Sequence, residues 1–202
     1  MITLHHSPRT RSVRIYWLLE ELGLRYQLKT IPFAPDSLKS AEYLKINPLG
    51  KVPTIQEDGL TMFESGAILE YILEKYGQGR LAPAPGTPER GAFLQWVHFA
   101  EATALPPLTD IAKHTLFKPE SERIPAVAAE ARTSAAAVLR VLEEALRGRQ
   151  FLLGNAFSAA DIMMGYSLLL MKWFGLLTDE CPNLVAYVTR LEQRPALQKA
   201  LS

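Results

Sequence analysis

Strand-like alternation is confined to the first eighty residues of this 202-residue chain, and no such pattern occurs after Pro88. That asymmetry rules out one continuous sheet and predicts a small α/β unit followed by an all-helical one. Ile2-Thr3-Leu4-His5 alternates as a short strand. From Ser12 the period changes, and Ile15, Leu18, Leu19 and Leu22 share one helical face, with Gly23 where a left-handed cap belongs. Tyr26-Gln27-Leu28-Lys29 alternates again, and a crossover of this kind joins parallel strands with a right-handed turn. A looser stretch from Ala34 to Lys45 holds one short helix. Val52 to Gln56 and Leu60 to Phe63 then flank Glu57-Asp58-Gly59, which reads as a three-residue hairpin loop. Ser65 opens a helix that carries Ile68, Leu69, Ile72 and Leu73 on one side and closes at Gly77.

Between Gly77 and Pro88 stand three glycines (77, 79, 86) and three prolines (83, 85, 88), the composition of a linker. The expected organisation is 1–78 for the α/β domain, 79–88 for the linker and 89–202 for the helical domain. The helical part reads as Ala92 to Ala104, interrupted by Pro106-Pro107, then Pro125 to Leu146 and Ala159 to Phe174, the last apolar all round and therefore buried. Asn183 to Gln193 and a short piece after Pro195 finish the chain.

Composition excludes several roles. Twenty-two basic and 21 acidic residues leave a net charge of +1, without the basic field of a nucleic-acid binder. Ile162 to Met171 is ten residues long, half the ~20 that a membrane span needs. His5, His6, Arg9, Arg11 and Arg14 occupy the place of a secretory apolar segment. One cysteine, Cys181, allows no internal disulfide, so a reducing, cytoplasmic setting without nucleic-acid or membrane partners is expected.

The polar residues leave few chemistries open. His5 and His6 are strand neighbours that point to opposite faces, one exposed and one packed, and His98 has no partner at helical spacing, so no metal is expected. Cys181 lacks a base, and no cysteine follows the first strand, which excludes a two-cysteine redox site. The turn Ser7-Pro8-Arg9-Thr10-Arg11-Ser12 leads into a helix amino terminus, where an anion is favoured, and Arg9, Arg11 and Arg14 crowd it. It is also open to a plain reading in which Thr10 or Ser12 caps the helix and the arginines are solvated. Pro53 stands at the start of a strand, and a cis bond there would free the N–H and C=O of Val52 for an extended peptide ligand. Glu64-Ser65 opens the next helix, either as a cap or as a grip on the amino-acid end of a ligand. Phe157-Ser158-Ala159-Ala160-Asp161-Ile162 carries a capping box and its hydrophobic staple, a folding signal.

Together these segments resemble a glutathione transferase over nearly the whole chain. The resemblance rests on "SPRTRSVRIYWLLEELG", "NPLGKVPTI", "FESGAILEYI" and "GNAFSAADI". It implies a thioredoxin-like amino-terminal domain, an all-α carboxy-terminal domain, glutathione as co-substrate and a homodimer. Pro53 matches the family's cis-proline and Val52 the residue that pairs with the cysteinyl backbone. Glu64 and Ser65 match the pair that holds the γ-glutamyl end, while Lys51 and Lys39 would face the glycine carboxylate. The catalytic tyrosine and cysteine of other classes are absent, which leaves a serine-type pattern of the theta-like and phi-like kind, with Ser7 first and Thr10 as the alternative. The resemblance implies conjugation to a small apolar electrophile or reduction of a hydroperoxide. The electrophile's side would lie between the domains near His98, Phe99, Thr103 and Trp173. A non-catalytic binding module of the same fold is the competing reading.

Overall fold

The computed structural model describes all 202 residues, which form two compact units, Met1–Ala82 with Glu192–Ser202, and Pro83–Leu191. The first is a small α/β domain and the second is helical.

In the first unit, β1 (Ile2–His6), β2 (Tyr26–Thr30), β3 (Thr54–Glu57) and β4 (Leu60–Phe63) form one sheet in the order β2-β1-β3-β4. β1 and β2 are parallel, as the crossover through α1 (Ser12–Leu22) requires, with Ile2 opposite Tyr26 and His6 opposite Thr30. β3 runs antiparallel to β1 and to β4. The β3–β4 loop is shorter than the sequence suggests. Glu57 pairs with Leu60 inside the ladder, so only Asp58 and Gly59 turn, at φ 50° and 84°. Two central residues at positive φ make the tight hairpin whose twist suits the strands. The 34–45 segment holds two short helices, α2 (Pro35–Leu38) and α3 (Ala41–Leu44), because Ser40 caps a second start by accepting the Tyr43 N–H.

Helices α1 and α4 (Ser65–Tyr76) pack together and bury Ile15, Leu18, Leu19, Ile68, Leu69 and Ile72 completely. Gly23 is left-handed at φ 63° and closes α1 as expected. Gly77 is not: it stays helical at φ −68°, and Gln78 and Gly79 take the left-handed turn at φ 51° and 79°. Both strand histidines are buried, at 2% and 4% exposure, because β1 is a central strand covered on both faces. The expectation of one exposed histidine is therefore corrected. Glu57, buried beneath α4, accepts from Tyr71 at 3.2 Å, Lys75 at 2.9 Å and the Tyr76 hydroxyl.

The last eleven residues belong to this unit rather than to the helical domain in which the sequence places them. Helix α10 (Pro195–Leu201) packs on α1 through buried Leu197 and Ala200. Arg194 grips Glu21 with two bonds of 2.6 and 2.7 Å, and Lys199 meets Glu20 at 2.8 Å. A bidentate guanidinium on a carboxylate fixes both distance and orientation.

The second unit contains α5 (Pro88–Ala102), α6 (Leu105–Ala112), a π-helical turn (Lys113–Phe117), α7 (Pro125–Ala145), α8 (Ala159–Trp173) and α9 (Pro182–Glu192). Helix α5 begins four residues earlier than the sequence reading, because Thr87 accepts the Arg90 N–H as a cap with Pro88 in the first position. Pro106 and Pro107 do not interrupt it but start α6, where no helical N–H is needed. α5 packs on α8 and α6 on α7. The start of α8 is buried from Ala159 to Leu168, and Asp161 gathers four donors there: Ser158 N–H (2.8 Å), Ser158 O–H (2.9 Å), Leu152 N–H (2.9 Å) and Tyr187 O–H (2.8 Å). The capping box is thus the centre of a closed polar knot. No helix is long and apolar enough to cross a membrane.

Candidate active site

Three chain segments that leave or enter the sheet at one set of strand ends carry the polar groups of interest. The first is the turn from β1 into α1. Here the hydroxyls bond to one another. Thr10 donates to the Ser7 carbonyl at 2.7 Å and lies 2.7 Å from Ser12 Oγ. Ser12 Oγ accepts the Ser7 N–H at 3.0 Å and lies 2.8 Å from His6 Nδ1. Burial lowers the His6 pKa to about 4, so the ring is neutral at physiological pH. Ser7 Oγ alone is buried without a partner. The first-turn N–H groups of Ser12, Val13 and Arg14 are spent on Thr10 Oγ1, the Thr10 carbonyl and the Arg11 carbonyl. An anion here must therefore be met chiefly by a hydroxyl rather than by helix N–H groups.

The second segment is the loop before β3. The Val52–Pro53 bond is cis, and no internal hydrogen bond uses the N–H or C=O of Val52. The loop is clamped through the Lys51 carbonyl, which accepts Tyr43 O–H at 2.7 Å and Asn47 Nδ2 at 2.8 Å, while Asn47 also reaches Thr54 Oγ1 at 3.0 Å. Gly50 sits at φ 56°, and a Cβ there would come within 2.4 Å of the Leu38 carbonyl and 2.8 Å of Lys39 Cδ, so only glycine lets α2 approach. Lys39 is pinned beside it, its ammonium donating to the Leu49 carbonyl at 2.6 Å. Lys51 is exposed.

The third segment is the start of α4. Glu64 holds a strained φ of 78° with its side chain exposed, and Ser65 is buried. The N–H groups of Ser65, Gly66 and Ala67 have no internal partner. Behind them lies Arg14, fully buried, whose guanidinium donates to Ser65 Oγ at 3.1 Å. Arg14 is therefore not the solvated side chain of the plain sequence reading. Because Ser65 accepts from Arg14, its own proton is left to donate outward. Open N–H groups and a hydroxyl at a helix start are the kind of donors that an anion can use.

Two sequence profiles match the chain. The one described as "Glutathione S-transferase, N-terminal domain" matches residues 1–74, and "Glutathione S-transferase, C-terminal domain" matches residues 105–195. The chain belongs to the glutathione S-transferase family. "Glutathione S-transferase 3" of Schizosaccharomyces pombe is 41% identical over 106 residues, 52% of this chain and 43% of that protein. "Disulfide-bond oxidoreductase YfcG" of Escherichia coli is 30% identical over 214 residues, covering 100% of this chain and 94% of the relative. Among solved structures, the glutathione transferase URE2P6 of Phanerochaete chrysosporium, in complex with oxidized glutathione, superposes with a TM-score of 0.87 at 30% identity, covering 98% of this chain and 94% of that one. Membership in the glutathione S-transferase family carries a glutathione-linked transferase or oxidoreductase role.

The remaining sequence-derived positions lie in the helical unit. His98 is exposed and Phe99 half-buried on α5, where Phe99 meets Trp96 edge to face at 5.4 Å. Thr103 is exposed just past the end of α5, and Trp173 ends α8 at 63% exposure. Cys181 is half-buried, and burial with Glu143 and Glu180 nearby pushes its thiol pKa up, which disfavours its thiolate.

Sequence reasoning named Arg14 among the arginines of the first turn but missed its burial and its bond to Ser65, and it missed Asn47, Tyr43 and the pairing of His6 with Ser12. A buried arginine is foreshadowed only by its place among Ile15, Leu18 and Leu22 on a core-facing helix.

Proposed function

We propose that this chain conjugates glutathione to small apolar electrophiles in the cytoplasm as a homodimer, with activity as a glutathione peroxidase on the same site. The α4 start receives the γ-glutamyl carboxylate through Ser65 and its neighbouring N–H groups, and Glu64 takes the ammonium. The N–H and C=O of Val52, held out by the turn at Pro53, pair with the cysteinyl backbone as an added strand does. Lys51, with Lys39 behind it, faces the glycine carboxylate. The sulfur then meets the turn after β1.

The observation that carries this reading is the pairing of an open anion site at Ser65 with unpaired peptide groups at Val52, two features that no packing demand explains. The chemistry asked of the turn is modest. A free thiol of pKa ~8.5 is only a few per cent ionised at pH 7, and lowering that pKa by two units takes ~2.7 kcal/mol. One hydroxyl bonded to the thiolate supplies about 1.5–3 kcal/mol, and the helix end adds about 0.3–1 kcal/mol. Ser7 has the unspent proton and Thr10 has the access. The thiolate attacks carbon, the C–S bond forms, and the leaving group departs with its electron pair.

Retention on immobilised glutathione followed by turnover of chlorodinitrobenzene tests the proposal. Retention with turnover is expected, and retention without turnover would favour the non-catalytic binding module. A second reading, thiol–disulfide exchange, is favoured by the oxidoreductase relative and by the neighbour that holds oxidized glutathione. With the Cys181 thiolate disfavoured by burial and by Glu143 and Glu180, both reacting thiols would be glutathiones. Turnover of a small disulfide at a rate exceeding conjugation would select that reading.

A further inference from the structure

We propose that His6 is a positioning residue for thiolate formation: through Ser12 it holds the hydroxyl of Thr10 as the donor that meets the sulfur of glutathione. This rests on the reading above, in which a hydroxyl of the turn stabilises the thiolate, and it goes further by choosing the hydroxyl and placing two residues behind it.

The choice follows from counting protons. Four oxygens and nitrogens lie in a row of short contacts: His6 Nδ1, Ser12 Oγ (2.8 Å), Thr10 Oγ1 (2.7 Å) and the Ser7 carbonyl (2.7 Å). Each hydroxyl has one proton, and the carbonyl has none. If Ser12 donated to His6, Thr10 would have to donate to Ser12. The Ser7 carbonyl would then face Thr10 Oγ1 at 2.7 Å and Ser12 Oγ at 3.1 Å with no proton between them. The opposite direction fills the three shortest contacts and leaves only the longer one, Ser12 Oγ to the Ser7 carbonyl at 3.1 Å, without a proton. His6 Nδ1–H donates to Ser12, Ser12 O–H donates to Thr10, and Thr10 O–H donates to the Ser7 carbonyl. The Ser7 N–H, 3.0 Å from Ser12 Oγ, fills the remaining lone pair of Ser12. The ring is neutral and its only protein hydrogen bond is through Nδ1, while the edge of Tyr16 lies against it at 5.4 Å. The network therefore fixes the tautomer.

Access separates the two candidate hydroxyls. No part of Ser7 reaches solvent, whereas Thr10 is half-exposed at the end of the row. When glutathione binds and its thiol proton leaves to water, the last proton of the row turns from a neutral carbonyl to an anion, which is the stronger acceptor. The two donors behind it are already aligned to polarise that bond. No proton passes through His6. It fixes the direction of the row.

The test is a pH titration of the ultraviolet absorbance of the thiolate in the glutathione complex, for wild type, Thr10→Val, His6→Leu, His6→Asn and the double variant His6→Leu/Thr10→Val. Thr10→Val should raise the midpoint by about one pH unit or more. His6→Leu should raise it by about half a pH unit, roughly a threefold smaller thiolate fraction below the midpoint, with glutathione affinity unchanged. His6→Asn, whose amide N–H stands where Nδ1–H stood, should restore the wild-type midpoint. The double variant should match Thr10→Val alone, because His6 acts through that hydroxyl. If His6→Leu does not fold, Ser12→Ala breaks the same row and should give the same half-unit rise. A wild-type midpoint in His6→Leu, additive shifts in the double variant, or an Asn variant no better than Leu would overturn the role of His6 while leaving hydroxyl activation standing. Wild-type midpoints in both Thr10→Val and Ser7→Ala would overturn hydroxyl activation itself, and the role of His6 with it.

Discussion

Helices α1 and α8 both begin in a turn with buried serine, yet the two turns end their hydrogen bonding differently. At α8, Asp161 takes four donors, each of them buried, and no polar atom is left over. At α1 the hydroxyls of Thr10 and Ser12 chain together, Ser7 Oγ has no partner, and the row ends at a half-exposed side chain. Buried polar groups in native proteins are satisfied unless something else is meant to satisfy them. On the proposed function, the comparison separates a turn that holds a fold from a turn that would hold a ligand. The start of α4 belongs with α1: its open N–H groups and the Ser65 hydroxyl are backed by a buried cation rather than closed by a carboxylate.

The largest effect is expected where the turn is closed. Asp161→Ala strands the N–H groups of Leu152 and Ser158 and the Tyr187 hydroxyl in a buried site, and should destabilise the protein by about 3–5 kcal/mol in denaturant unfolding. Glutathione affinity of the folded fraction should not change. A loss under ~1 kcal/mol would erase the distinction between the two turns.

What could be read beforehand follows the range of the interaction. The capping box at Ser158–Asp161, the cap at Gly23 and the β3–β4 hairpin depend on residues a few positions apart, and all three stand in the structure, the hairpin with a tighter loop. Glu64-Ser65 and Pro53 were visible as local motifs. The partner of Arg14 was not, because its bond to Ser65 spans 51 positions. Nor was the return of α10, because Arg194 and Glu21 lie 173 positions apart. The clamp of Tyr43 and Asn47 on the Lys51 carbonyl stayed hidden because a looser, polar stretch offers no periodicity to read. Proline misled once: Pro106-Pro107 can break a helix or begin one, and here they begin α6 beside buried Ala104 and Leu105.

The open turns give smaller effects that appear on ligand rather than on stability. Ser65→Ala removes one donor to a carboxylate and should weaken glutathione binding about 10- to 100-fold by calorimetry. An unchanged affinity would move the γ-glutamyl end away from α4.

The pH dependence of stability distinguishes the turns further. The His6 pKa is lowered from 6.5 to about 4 by burial, so between those values the unfolded chain binds a proton that the folded chain does not. This group's contribution to stability is present above about pH 6.5 and is lost as pH falls toward 4, by on the order of 1–2 kcal/mol once solvent screening is allowed for. His6→Asn should lack that slope, so its stability relative to wild type should rise as pH drops through the window. A parallel pair of stability curves would contradict the buried neutral ring.

The most direct measurement is the ionisation of the glutathione thiol in the wild-type complex against that of free glutathione, followed by thiolate absorbance. The account predicts a midpoint about two pH units below the ~8.5 of an unperturbed thiol, moving back toward it in Thr10→Val. A midpoint in the complex equal to that of free glutathione would contradict it.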